Sequence, residues 1–207
     1  ILNYGVSERL YQNTMDALKK IAQKPNIEDI HELRNQAYAI YVLTLNEIVT
    51  TNYITSLRKQ LDVKFEDWQE DLTAGYIAAS YILMKQEQQG NRLLRRVARA
   101  KFRKRRVSWN FYSSLMHNAQ ILSLLASHAP DELDLVSADI IQNIVVNLEK
   151  RSYNTLSSSY SIMALDAYAK AANEPSAGAI SIVQLLRNKQ EKSIEIPKGS
   201  FPVVEFS

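Results

Sequence analysis

From about residue 8 to residue 173 the apolar positions recur at helical spacing, in two alternating textures. The first texture is a stripe. Residues 8–22 carry Leu10, Thr14, Ala17, Leu18 and Ile21 on one side, with Ser7 placed to cap the helix start. Residues 50–61 carry Tyr53, Ile54, Leu57 and Leu61. Residues 88–99 carry Leu93, Leu94, Val97 and Ala98 opposite a basic face. Residues 133–149 carry Val136, Ile140, Ile141, Ile144, Val145 and Leu148. The second texture is apolar nearly all round: AYAIYVL at 37–43, AGYIAASYILM at 74–84, AQILSLLA at 119–126 and YSIMALDAYAKAA at 160–172. A striped helix buries one face, whereas a helix without a polar face belongs inside.

The two textures alternate four times, outer then inner. Ala39, Ala79 and Ala119 mark the inner segments at intervals of 40 residues. A two-helix unit of that length, repeated, is an α/α array. Fully apolar inner segments suit a closing ring better than a rod, because inner helices then pack on one another as well as on the outer ones. Pro25, Gly90, Pro130 and Pro175 fall between the expected helices. After residue 176 the texture changes. AISIVQLL at 179–186, the alternation at 192–196 and FPVVEF at 201–206, with Pro197–Ser200 as a turn, predict two or three strands. The expected organisation is a helical domain over 1–176 and the beginning of a β domain over 177–207.

Composition narrows the field. With 46% hydrophobic and 23% charged residues the chain can build a core, and five Gly and five Pro are too few for the turns of an all-β fold. No apolar run reaches the ~18 residues of a membrane span. No Cys is present, which excludes disulfides, thiol nucleophiles and thiolate metal sites in these residues. The start, Ile1-Leu2-Asn3-Tyr4, has neither Met nor a basic segment leading into an apolar one, so the chain reads as a fragment.

Three blocks, QAYAIYVLTLNEIVTTNYITSLRKQLD (36–62), WQEDLTAGYIAASYILMKQ (68–86) and RSYNTLSSSYSIMALDAYAKA (151–171), resemble the bacterial alpha-2-macroglobulin family, in the later part of its thioester domain. The resemblance implies an α/α toroid of six helical hairpins, as in terpenoid cyclases and complement proteins. About four of them lie here, followed by strands of the β domain into which the toroid is inserted. It implies a protease-trapping inhibitor rather than an enzyme, with proteases and the other macroglobulin domains as partners. It also implies a periplasmic address on the inner membrane, through an anchor outside this segment. A bait is cut and a buried thioester captures the attacker. The thioester is formed by a Cys-x-Glu-Gln motif. No Cys occurs here, so the motif lies outside this chain or the protein belongs to the branch that lacks it, and no thioester residue maps onto these positions. A partial ring would also leave an inner-helix edge unfilled.

The loudest local signal is basic. Arg92, Arg95, Arg96, Arg99, Lys101, Arg103, Lys104, Arg105 and Arg106 are nine of the 25 cationic residues, followed by Trp109, Phe111 and Tyr112. Arg92, Arg95, Arg96, Arg99, Arg103, Arg105 and Arg106 are candidate contacts for an anionic surface. The alternatives are a solvated or domain-contact face, an anionic lipid surface, or nucleic acid, which a periplasmic address disfavours. His31, His117 and His128 match no metal spacing. His117 fits a hydrogen-bonded core histidine, and His128 a charge partner at a helix C-terminus. The pairs Glu28/Asp29, Glu66/Asp67, Glu70/Asp71 and Asp131/Glu132 sit near expected helix starts and read as caps. Ser157, Ser158, Ser159 and Ser161 lack a paired base and read as a small packing face. No catalytic residue, cofactor or metal site is expected. Two other readings stay open: a helical-repeat adaptor using the basic run, and a stand-alone α/α-barrel lyase or cyclase.

Overall fold

The structure is a computed structural model and describes residues 5–100, 112–135, 138–173, 182–185 and 191–194. Eight α-helices are described: α1 (Glu8–Ala22), α2 (Ile30–Leu45), α3 (Thr51–Lys64), α4 (Leu72–Leu83), α5 (Glu87–Arg99), α6 (Ser114–His128), α7 (Ala138–Glu149) and α8 (Thr155–Asn173). Short 3-10 turns at Trp68–Glu70 and Pro130–Leu135 precede α4 and α7. Strands β1 (Ile182–Leu185) and β2 (Glu191–Ile194) form an antiparallel pair with Ile182 opposite Ile194. The third expected strand, at 201–206, lies outside the described residues.

The helix starts follow from their caps. Ser7, Asp29, Asp71 and Ser113 each accept a backbone N–H of the first turn through the side chain. This satisfies one of the amide groups that a helix start leaves unpaired. Three helices end alike without glycine. After α2, α4 and α7, residues Glu47, Lys85 and Arg151 take the left-handed conformation at φ 61°, 64° and 53°. The next amide then reaches back five residues, as Gln86 N–H does to the Tyr81 carbonyl at 2.8 Å. That is the Schellman closure usually given to Gly, and it reconciles abrupt helix ends with the low glycine content.

Helices α2, α4, α6 and α8 form the inner row, each packed on the next, and α1, α3, α5 and α7 lie outside them. Helices α3, α5 and α7 each pack on the inner helix that precedes them. The result is an all-α, open α/α arc with inner and outer layers, followed by the short β pair. In α4 every residue from Leu72 to Tyr81 is buried. Gly90 lets α5 lie against α4: a Cβ there would stand 2.5 Å from Ile82 Cγ1 and 2.7 Å from the Ala78 carbonyl oxygen.

Two details differ from the sequence pattern. Leu10 and Ile21 of α1 are exposed, and the buried positions are Met15 and Ala22, with Leu18 half-buried. Helix α1 has one inner neighbour, α2, so a narrow seam beside the expected stripe is covered. Helix α8 is not buried all round: Ser157, Ser161 and Ala164 face inward while Ile162 and Met163 are 68% and 59% exposed. An unfilled edge is thus visible among the described residues.

Candidate functional site

Arg92, Arg95, Arg96 and Arg99 line one open groove on α5, as their spacing requires, but Glu70 and Glu87 line it too. Arg95 forks onto Glu132, with Nε donating at 2.8 Å and the second N–H bonding the other oxygen. Arg96 donates to Gln69 Oε1 at 2.7 Å. That hydrogen bond to Arg95 lowers the Glu132 carboxyl below its ordinary range. Two of the four arginines therefore tie outer elements together. Arg92 and Arg99 have no such partner among the described residues. Arg103, Arg105 and Arg106 lie outside the described residues, as do Trp109 and Phe111. Tyr112 does not extend an aromatic basic surface. Its ring lies under the Arg34 guanidinium, 3.7 Å from the ring centre to Cζ.

Arg34 belongs to a buried polar centre that no sequence motif announces. It sits near the start of the inner helix α2 and is 7% exposed. Its Nε donates to Asp71 Oδ1 at 3.0 Å and its Nη2 to Asp71 Oδ2 at 2.5 Å. A fork onto a carboxylate is the geometry guanidinium favours. Burial disfavours both charges. The bond and the opposite charge outweigh it, holding Asp71 below and Arg34 above their ordinary values. Asp71 also caps α4, accepting the Thr73 N–H at 2.9 Å and hydroxyl at 2.7 Å. One carboxylate thus starts an inner helix and locks it to its neighbour. Arg34 Nη1 donates to His31 Nδ1 at 2.8 Å. Because guanidinium only donates, that nitrogen is the acceptor and His31 is the neutral tautomer with its proton on Nε2.

Beyond this pair, Tyr112 hydrogen-bonds His117 Nδ1. Burial pulls His117 down to about 4, although the charge of Asp71 works the other way, so it is a neutral core imidazole as its position suggested. Tyr38, Tyr41 and Tyr76 cluster with ring centres 5.1 to 6.4 Å apart. Tyr38 of α2 and Tyr160 of α8 line the same space from opposite ends of the inner row. Burial, with neighbouring phenols adding to it, raises Tyr41, Tyr76 and Tyr160, the last to about 12. These hydroxyls keep their protons. His128 is not the charged partner expected at a helix end. Its Nε2 shares a 2.8 Å hydrogen bond with Tyr41 and burial lowers its pKa.

Of these groups, His31, Arg34, Tyr38, Tyr76, Tyr112 and Tyr160 line a cavity of about 200 Å³. The lining residues on α2, α4, α6 and α8 lie from the first turn to the middle of each helix and none lies in its last turns: His31 to Tyr38, Leu72 and Tyr76, Met116 and Gln120, Leu156 and Tyr160. The four inner helices therefore run in one direction and open their N-termini around a common space. Of the acidic pairs, Asp29 and Asp71 are caps as expected, whereas Glu132 is an ion-pair partner. Ser157 and Ser161 are buried packing groups, and the Ser158 and Ser159 hydroxyls bond the Thr155 carbonyl. Among the described residues no group of three His, Asp or Glu could hold a metal ion.

No family profile matches the chain, and no solved structure matches it. Curated relatives do. The chain is 36% identical to the alpha-2-macroglobulin of Pasteurella multocida over 166 residues, covering 78% of this chain and 9% of that protein. It is 37% identical to the alpha-2-macroglobulin of Rickettsia conorii over 183 residues, 88% of this chain and 9% of that protein. It is 30% identical to an alpha-2-macroglobulin homolog of Yersinia pestis over 192 residues, 90% of this chain and 10% of that protein. The chain thus spans about a tenth of the length of these relatives. Sequence likeness across most of its length places this chain in the bacterial alpha-2-macroglobulin family.

Proposed function

We propose that these residues are part of the helical thioester-type domain of a protease-trapping macroglobulin, with residues 1–176 forming that domain and 177–207 beginning a flanking β domain. The observation that carries this reading is the likeness to three macroglobulins over 78–90% of the chain. The architecture supports it. A row of inner helices held by a buried ion pair is a stiff body, suited to shielding a reactive group and presenting it after a rearrangement elsewhere. The thioester itself would be supplied by a Cys-x-Glu-Gln segment outside this chain, because no Cys is present. The chain's own work is structural and non-enzymatic, and its partners are proteases and the neighbouring domains of the same protein. The full-length protein would act in the periplasm, held at the inner membrane by an anchor elsewhere. No described helix is long and apolar enough to cross a membrane.

The test is protease challenge of the full-length protein. The expected outcome is one thiol released per molecule cleaved and a protease band that stays attached in denaturing gels, both abolished by prior methylamine. Cleavage with neither thiol release nor retained protease would overturn the reading.

A further inference from the structure

The cavity at the N-terminal ends of the inner helices is not needed for a purely structural role, and its chemistry is specific. Its floor is buried: Leu72, Tyr76 and Gln120 are 0%, 4% and 3% exposed. Its mouth is open, with Tyr38 and Leu156 at 39% and 43% exposure. Gln120 is the anomaly. Its amide nitrogen is buried without a hydrogen-bond partner. Such a group normally costs free energy and is rare in a settled core. Among the described lining residues the one charged side chain is Arg34, and Asp71 behind it neutralises that charge. The phenol hydroxyls remain protonated donors. Four helix N-termini add positive potential from one side. The floor therefore offers donors and no unpaired acceptor charge, while Tyr38, Tyr160, Leu72, Met116 and Leu156 provide aromatic and apolar walls.

We propose that this cavity is a binding site for a small molecule carrying a carbonyl or carboxylate oxygen on one compact aromatic body, the oxygen meeting the Gln120 amide and the ring lying among the tyrosines. Size fits the class: an apolar cavity of about 150 Å³ holds a benzene ring, and 200 Å³ leaves room for one acyl group. The inference is independent of protease trapping.

Ligand-observed fluorine NMR on the full-length protein tests it with three probes: 4-fluorobenzoate, 4-fluorobenzamide and fluorobenzene. Saturable millimolar binding of at least one acyl probe is expected, with fluorobenzene at least tenfold weaker. Gln120→Leu should erase that tenfold preference. Leu156→Trp, at the exposed mouth, should abolish binding of all three without changing the melting temperature, which keeps the test open if the Gln120 variant folds poorly. Absence of saturable binding by both acyl probes overturns the proposal. So does equal binding of fluorobenzene, or parent-like binding by both variants. Thiol release after protease cleavage is unaffected by any of these results.

Discussion

Helices α4 and α8 read alike in sequence and live differently in the structure. Both are inner and both lack a continuous polar face. Helix α4 has neighbours on every side, α2, α5 and α6 among them, and buries ten consecutive residues. Helix α8 packs mainly on α6 and turns its smallest side chains, Ser157, Ser161 and Ala164, to the contact, leaving Ile162 and Met163 outside. Small residues let two backbones approach closely, so α8 gains its packing through proximity rather than through bulky apolar side chains. Hydropathy states what a helix can bury. Its place in the arc decides what it does bury.

The largest expected effect separates the two at their ion pairs. Asp71→Ala removes the cap of α4 and leaves Arg34 buried without its carboxylate. Breaking a buried pair costs about 3–5 kcal/mol. On α8, Lys170 and Asp166 form an exposed pair four residues apart, where Asp166→Ala should cost less than about 0.5 kcal/mol. Urea unfolding of both variants gives the ratio. Equal losses would mean that α8 is as enclosed as α4.

Apolar truncation is the next test. Ile77 of α4 is 0% exposed and Ile162 of α8 is 68% exposed. Ile77→Ala should lose about 2–5 kcal/mol through lost burial and the cavity left behind, and Ile162→Ala less than about 0.5 kcal/mol. A costly Ile162 change in the full-length protein, absent in the 207-residue chain, would show that another part of the protein covers that edge.

Much of this contrast was legible in the sequence, and the rest was not for identifiable reasons. Alternating textures give inner and outer helices because burial acts on periodicity, and Leu93, Leu94, Val97 and Ala98 of α5 are all buried as the stripe predicts. The face of α1 was misjudged because Leu10 and Ile21 make a good stripe whether or not anything lies against it. The Arg34–Asp71 pair joins residues 37 apart, and local spacing carries no signal for such a contact. Arg34 stands among polar residues just before the apolar segment 37–43, where a cation reads as solvated. Resemblance to the family supplied the toroid, which the repeat length alone leaves open.

Acid should weaken the centre of the arc before its edge. His117 is held near 4 by burial, against an ordinary 6.5. Between those values the unfolded chain binds a proton that the folded protein refuses, so stability falls as pH drops from 6.5 to about 4. The total is about 3 kcal/mol. Burial lowers His128 in the same sense. Asp71, held low by Arg34, adds a further loss below its ordinary 3.8. Urea midpoints from pH 7 to 4 should slope downward, and His117→Phe should flatten most of the slope. An unchanged slope in that variant would place the titrating group elsewhere.

The smallest effect ignores burial altogether. Lys85 closes α4 and Arg151 closes α7 just before α8, both exposed and both left-handed at φ 64° and 53°. An L-residue pays roughly 1–2 kcal/mol for that conformation. Glycine removes this strain but gives back part of the gain through a freer unfolded chain. Lys85→Gly and Arg151→Gly should each stabilise by about 0.5–1 kcal/mol, because the strain is local to one backbone angle and neither side chain is enclosed. Equality is the informative result: with packing removed from the comparison, the two ends should respond alike. If only Lys85→Gly stabilises in thermal unfolding, the turn before α8 does not hold its Schellman closure, and the looseness of that end reaches its backbone as well as its side chains.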